Sequence, residues 1–170
     1  MDEAAGPAAI TIREAVSGDA DGIARTFIES AEYHARLDPE RYLVPAVEAI
    51  SARYQEGRQH PSQADGGGGI TLVAEVGDEI VGFVDARLEA SPDPMHRELI
   101  YCHIAEIAVS HQHHNQGIGQ GLLRAAEDWG RGQGAKFASL EYHTANSRAG
   151  SFYQQRMGYH AAATIAIKRL

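Results

Sequence analysis

A chain of 170 residues, 44% hydrophobic and 22% charged, has the make-up of one ordinary folded domain and not of a disordered, collagen-like or disulfide-stapled chain. Its net charge of −8 argues against a nucleic-acid partner, which needs a positive face, and favours cations such as amines, although such a charge also serves solubility. The lone cysteine, Cys102, leaves no internal disulfide. No apolar run approaches the ~20 residues of a membrane span, and the acidic N-terminus lacks a signal-peptide layout, so a cytoplasmic location is expected.

Residues 1–9 read as a flexible tail, and residues 10–170 as a single domain. ITIREAV alternates apolar and polar, as a half-buried strand does. Asp19 or Asp21 then caps a helix through Ile23, Phe27 and Ala31. The next stretch, to Gln55, is helical in pattern but interrupted by Pro39 and Pro45, giving two short helices with a bend. Residues 59–69 form a loop ending in four glycines. ITLVAEV and EIVGFVDARLEA flank Gly77-Asp78 as a β-hairpin. After another loop, LIYCHIAEIAV is a long apolar strand suited to the sheet centre. A helix from Gly117 to about Arg131 sets Ile118, Leu122, Ala125, Ala126 and Trp129 on one face, and Gly130, Gly132 and Gly134 end it. KFASLEYHT is a strand, SRAGSFYQQRM is a helix capped by Asn146 or Ser147, and the chain closes with a strand around AAATIAIKRL. The order β-α-α-β-β-β-α-β-α-β predicts a mixed α/β domain around one sheet.

The stretch EIAVSHQHHNQGIGQGLL carries the most chemistry. A buried strand ends near Val109, and a helix starts inside Gly117-Ile118-Gly119-Gln120-Gly121. The first turn of a helix has backbone N–H groups without partners and a partial positive charge, and glycines let an anion approach them. A tight strand-to-helix turn explains the same glycines equally well. The turn lacks the Gly-Lys-Ser/Thr of a P-loop, and G-x-G-x-G after a hairpin is not the dinucleotide fingerprint. His111, His113 and His114 share one short loop without a separate second ligand pair, so no metal site is expected there.

His114-Asn115-Gln116-Gly117-Ile118-Gly119 resembles the principal motif of the GNAT family of N-acetyltransferases, Arg/Gln-x-x-Gly-x-Gly/Ala, with His at the first position. Ile12-Arg13-x-Ala15 with Asp19-Ala20 and Ile23 resembles the family's first strand and helix, and Gly82-Phe83-Val84 its third strand. Asn146-x-x-Ala149-x-x-Phe152-Tyr153 with Gly158-Tyr159 resembles its last helix motif, with one extra residue between Tyr153 and Gly158. The likeness spans the chain from Ile10 onward.

The resemblance implies a mostly antiparallel central sheet with a splayed parallel strand pair, residues 104–109 and 137–142, flanked by helices. It implies acetyl-CoA as co-substrate, with its pantetheine arm along the main chain of Ile107, Ala108 and Val109. The diphosphate would lie on residues 112–119, among them Gln112, His114, Asn115, Gln116, Gly117, Ile118 and Gly119; Asn146 would help hold the pantetheine side, and Gln120 and Phe152 would also contact the cofactor. It implies acetyl transfer to a primary amine by direct attack, with Tyr153 as acid and Glu106, His103 or a water chain as base. In a regular strand Glu106 and His103 point to opposite faces, and a bulge would change that. Glu32, Tyr33, His34 and Asp38, with Tyr42, Arg87 and Glu89, fall where the family binds its acceptor, a small-molecule or peptide amine. Family habit points to a homodimer. The alternative is a non-catalytic acetyl-CoA-binding sensor or regulatory module.

Overall fold

A computed structural model describes residues 9–56, 68–91, 94–95 and 97–169. Five strands form one sheet in the order β1-β2-β3-β4-β5: β1 (Ile10–Glu14), β2 (Gly69–Val76), β3 (Glu79–Ala90), β4 (Ile100–Val109) and β5 (Phe137–Leu140). The first three neighbouring pairs are antiparallel, and β4–β5 is parallel. Helices α1 (Ala20–Leu37) and α2 (Val47–Gln55) cover one face, and α3 (Ile118–Gly132) covers the other. The short α4 (Ser147–Ser151) leads into a π-helical turn over Phe152–Arg156. This is the mixed, mostly antiparallel sheet flanked by helices that the sequence implied.

Strand alternation sorts the core into two layers. Phe83 and Val73 pack with Ile23, Ala24, Ile50 and Tyr54 beneath α1 and α2. Val84, Ala86, Cys102 and Ile104 pack with Ile118, Leu122, Leu123 and Ala126 beneath α3. The hairpin turns at Gly77, whose φ of +62° suits glycine. Gly130 serves packing: a Cβ there would sit 2.4 Å from the Cys102 Cβ. The glycine that follows the helix in a left-handed conformation is Gly134, at φ +90°.

Four sequence readings change. The first helix runs unbroken to Leu37, because Pro39 and Pro45 both fall in the link to α2. Asp19 occupies its N-cap position, but its carboxylate accepts from the Val16 N–H and from Arg13 instead of the helix. The ion pair with Arg13, through hydrogen bonds first, lowers the Asp19 pKa. β5 stops at Leu140, short of Thr144. Among the described residues no strand forms after β5, where the sequence predicted a closing one. Tyr159 is fastened to α3 through its hydroxyl on Glu127 at 2.9 Å. Among the described residues past it, no backbone hydrogen bond joins the chain to β5. An alternating pattern makes a strand only beside a partner edge. The tail and loop expected at residues 1–8 and 59–67 lie outside the described residues.

Replacing Gly130 with Ala overpacks the Cys102 contact and is expected to lower stability by about 1–3 kcal/mol, read as a reduced midpoint in thermal or urea unfolding.

Candidate active site

Parallel pairing of β4 with β5 lasts only from Tyr101↔Phe137 to Ile104↔Leu140. Beyond that point β4 continues to Val109 paired with β3 alone, so its backbone at residues 105–109 has no strand partner on the β5 side. Pairing ends within the span where the resemblance placed the splay, leaving main-chain groups of β4 that an extended amide-bearing ligand could pair with.

A bulge sits at the same level. The β3–β4 register passes from Asp85↔Glu106 to Ala86↔Ile104, so Ala105 has no opposite number. Cys102 and Ile104 pack beneath α3, as do Ile107 and Val109, while Ala108 packs on the α1 and α2 side. The extra residue resets the alternation and turns His103 and Glu106 to the same face, that of α1 and α2. His103 lies where the sheet is still closed, its Nδ1 3.1 Å from Ser139 Oγ and 3.8 Å from Glu89, and burial holds its pKa down against the pull of Glu89. Glu106 lies at the level of the opening. Burial, reinforced by Asp85, raises its pKa to about 7.

After β4 the chain makes a short turn over His111–His113 and enters α3. Asn115 (φ +63°) and Gly117 (φ +82°) are both left-handed, a geometry that asparagine and glycine adopt most cheaply. No side chain caps the first turn of α3, so its N–H groups remain available to an anion. A Cβ on Gly119 would meet only Phe152 and Val109, both at 3.7 Å, so Phe152 does border this turn. His114 donates from Nε2 to the Val109 carbonyl at 2.8 Å, and burial lowers its pKa. Gln112 and Gln116 are exposed on the turn, joined by a 3.3 Å bond from the Gln116 amide to the Gln112 carbonyl, and Gln120 follows half-buried in α3. The Glu29 carboxylate of α1 accepts from the His111 N–H at 2.7 Å and braces the turn. Among the described residues no group of three or more His, Cys, Asp or Glu is arranged to hold a metal ion.

Asn146 is 9% exposed and caps α4, accepting from the Ala149 N–H at 3.0 Å and from the Tyr33 hydroxyl at 3.4 Å. The extra residue between Tyr153 and Gly158 is absorbed by the π-turn, in which Met157 N–H reaches the Phe152 carbonyl five residues back. Tyr153 thereby remains in the core at 9% exposure, ringed by Tyr142, Phe152 and Tyr159. Burial, with Glu106 and Tyr142 adding to it, raises its pKa to about 12, so it stays protonated at neutral pH.

Of the acceptor-side residues, Tyr33, His34 and Asp38 come together with Tyr42. The His34 ring lies 5.4 Å from that of Tyr42. His143, just past β5, completes the group, 3.4 Å from Asp38 and with its ring 6.0 Å from Tyr42. Glu32 points to solvent, outside this group, and Arg87 pairs with Glu89 at 2.5 Å. Sequence reading missed His143 and Asp85. A polar residue at the carboxyl end of a parallel strand was the signal for the first, and an acid within an apolar strand for the second.

The acetyltransferase (GNAT) family's sequence profile matches residues 31–159. This chain belongs to that family. Membership assigns it to the acetyl-CoA-dependent N-acetyltransferases, with acetyl-CoA as co-substrate. It is 29% identical to the uncharacterized N-acetyltransferase YhfO of Bacillus subtilis over 150 residues, covering 88% of this chain and 89% of that one. It is 30% identical over 98 residues to the acetyl transferase GW6a of Oryza sativa subsp. japonica, covering 53% of this chain and only 23% of the rice protein. A tetramutant of the Bacillus halodurans protein BH1408 shares the fold at a TM-score of 0.81 and 20% identity, over 94% of this chain and 99% of that one. Aminoglycoside N-acetyltransferase AAC(6')-Iy, solved with CoA, superposes at a TM-score of 0.69 and 15% identity over 98% and 97% of the two chains. Among the described residues of this GNAT chain, no helix is long and apolar enough to cross a membrane.

Gly117→Ala forces a side chain into a left-handed position at a cost of about 1–2 kcal/mol. The expected result is a lower unfolding midpoint together with weaker acetyl-CoA binding in calorimetric titration.

Proposed function

We propose that the chain moves an acetyl group from acetyl-CoA to a primary amine by direct attack, with Glu106 as base and Tyr153 as acid. The observation that carries this reading is the bulge at Ala105, which sets Glu106 on the α1 and α2 face beside the open strand edge. A carboxyl group with a pKa of about 7 takes up a proton near neutral pH without being permanently protonated. His103, bonded to Ser139 below the opening, fits the role less well.

Acetyl-CoA supplies the activated thioester. The backbone of Ile107, Ala108 and Val109 binds the pantetheine arm, with Asn146 beside it. The amides between Gln112 and Gly119, at the uncapped start of α3, hold the diphosphate. Glu106 takes the proton that the amine must lose as its nitrogen bonds to the acetyl carbon. A β4 backbone N–H stabilises the developing oxyanion. Tyr153, still protonated, gives its proton to the sulfur as the carbon–sulfur bond breaks.

The acceptor in this reading is a small cationic amine. Asp38 provides negative charge, and Tyr33, His34, Tyr42 and His143 provide an aromatic wall that favours cations. AAC(6')-Iy is an aminoglycoside N-acetyltransferase, so aminoglycosides head the acceptor screen. A cytoplasmic location, where acetyl-CoA is available, belongs to the same reading. So does a homodimer, for which the open outer edge of β5 and the exposed Ile165 and Ile167 offer a surface that sedimentation of the full chain tests.

Acetyl-CoA at a hundred times its Kd is expected to add about 2.7 kcal/mol of stability in thermal-shift titration, with ATP and NADH inert. With an acceptor in hand, Glu106→Gln is expected to lower kcat/KM by about 10²–10⁴-fold and to abolish the rise of activity with pH near 7. Tyr153→Phe is expected to lower turnover while leaving the acetyl-CoA Kd unchanged. Binding without thiol release for any amine would leave the sensor reading standing.

A further inference from the structure

Asp85 is the most enclosed carboxylate near the site, at 2% exposure in the middle of β3. Both of its oxygens are occupied: the Tyr54 hydroxyl donates to Oδ2 and the Thr71 hydroxyl to Oδ1, each at 2.6 Å. Its cross-strand partner is Glu106. Side chains directly opposite on an antiparallel pair share a face, with Cβ atoms about 4.5–5.5 Å apart. Two shielded carboxyl groups at that separation resist carrying two negative charges, so one of them holds a proton over a wide pH range.

Their surroundings are unequal. Two hydroxyl donors favour the charged form of Asp85, and neither of them reaches Glu106. Burial raises Asp85 to about 6 against those two bonds, and Glu106 stands higher, at about 7, with Asp85 as its second cause. The other groups facing the pair are Arg53 of α2, which lowers both, Tyr54 of α2, and Tyr153 beyond α4. His103 shares the face on β4, one bulge away.

We propose that Asp85 is a positioning residue for the transfer: its buried charge, fixed by the hydroxyls of Tyr54 and Thr71, makes the opposite Glu106 the member of the pair that takes up and gives back the proton. This rests on Glu106 being the base. Environments that push two neighbouring acids apart are how one site obtains separate roles from like groups. Without the charge on Asp85, Glu106 ionises at lower pH and accepts the amine proton less readily.

Infrared titration of the full chain from about pH 5 to about pH 9 reads the protonated carboxyl band independently of turnover. The expected result is a step near neutrality that Glu106→Gln removes and Asp85→Asn moves down by about one pH unit. Tyr54→Phe, which keeps the ring and its contact with Phe83, is expected to move that step the same way by less. The acid limb of kcat/KM should follow the same shifts, with the acetyl-CoA Kd unchanged. A Glu106 step unmoved in both Asp85→Asn and Tyr54→Phe overturns the proposal. So does a neutral step that survives Glu106→Gln and disappears in Asp85→Asn. A fully active Glu106→Gln enzyme overturns the base assignment instead, and the infrared steps tell the two failures apart.

Discussion

The β4–β5 contact holds for four residues and then lets go, and the rest of the structure is arranged around that release. A strand edge opened in the middle of a sheet leaves backbone donors and acceptors without partners, which a folded chain tolerates only where something else will bind them. On the other side β4 stays fully paired with β3, so the opening does not loosen the core. The free edge leads directly into a left-handed turn and the bare N-terminus of α3. On the proposed reading, the open β4 edge takes the amide-like part of the ligand and the bare first turn of α3 takes its anionic part, with the hydrogen-bonded turn over His111–His113 between them.

The bulge at Ala105 decides which face of the sheet Glu106 takes. Without it Glu106 would lie on the α3 side, within a layer of Val84, Cys102, Ile104 and Leu122. With it, the carboxyl group enters a polar seam on the opposite face, beside Asp85 and Tyr54. Burial is costly for both acids, and hydrogen bonds offset that cost for only one of them. Desolvation likewise raises the proton affinity of both Glu106 and Tyr153 and keeps Tyr153 protonated.

Much of this was legible in the residues. The alternation of β1, the Gly-Asp hairpin, the apolar centre of β4 and the glycine-rich start of α3 depend on neighbours within a few positions. The candidate site was legible where its motif is contiguous, as from His114 to Gly119, since the turn and the start of α3 fall there. The extra residue before Gly158 was also visible, but its accommodation as a π-turn follows from Tyr153 staying packed on Tyr142 and Tyr159. The closing segment misled, since its pattern is strand-like and no strand edge meets it.

The sequence by itself determined the periods of the helices and strands, the position of the glycine-rich turn before α3 and the family, because each is written in short-range spacing. The tertiary structure alone decided that His103 and Glu106 share a face, since a bulge is a mismatch between two paired strands and belongs to neither one. It alone brought His143 to Asp38 and Asp85 to Tyr54, contacts between residues distant in the chain. Such contacts, and the desolvation that sets the proton affinities of Glu106 and Tyr153, exist only once layers far apart in the chain have closed over them.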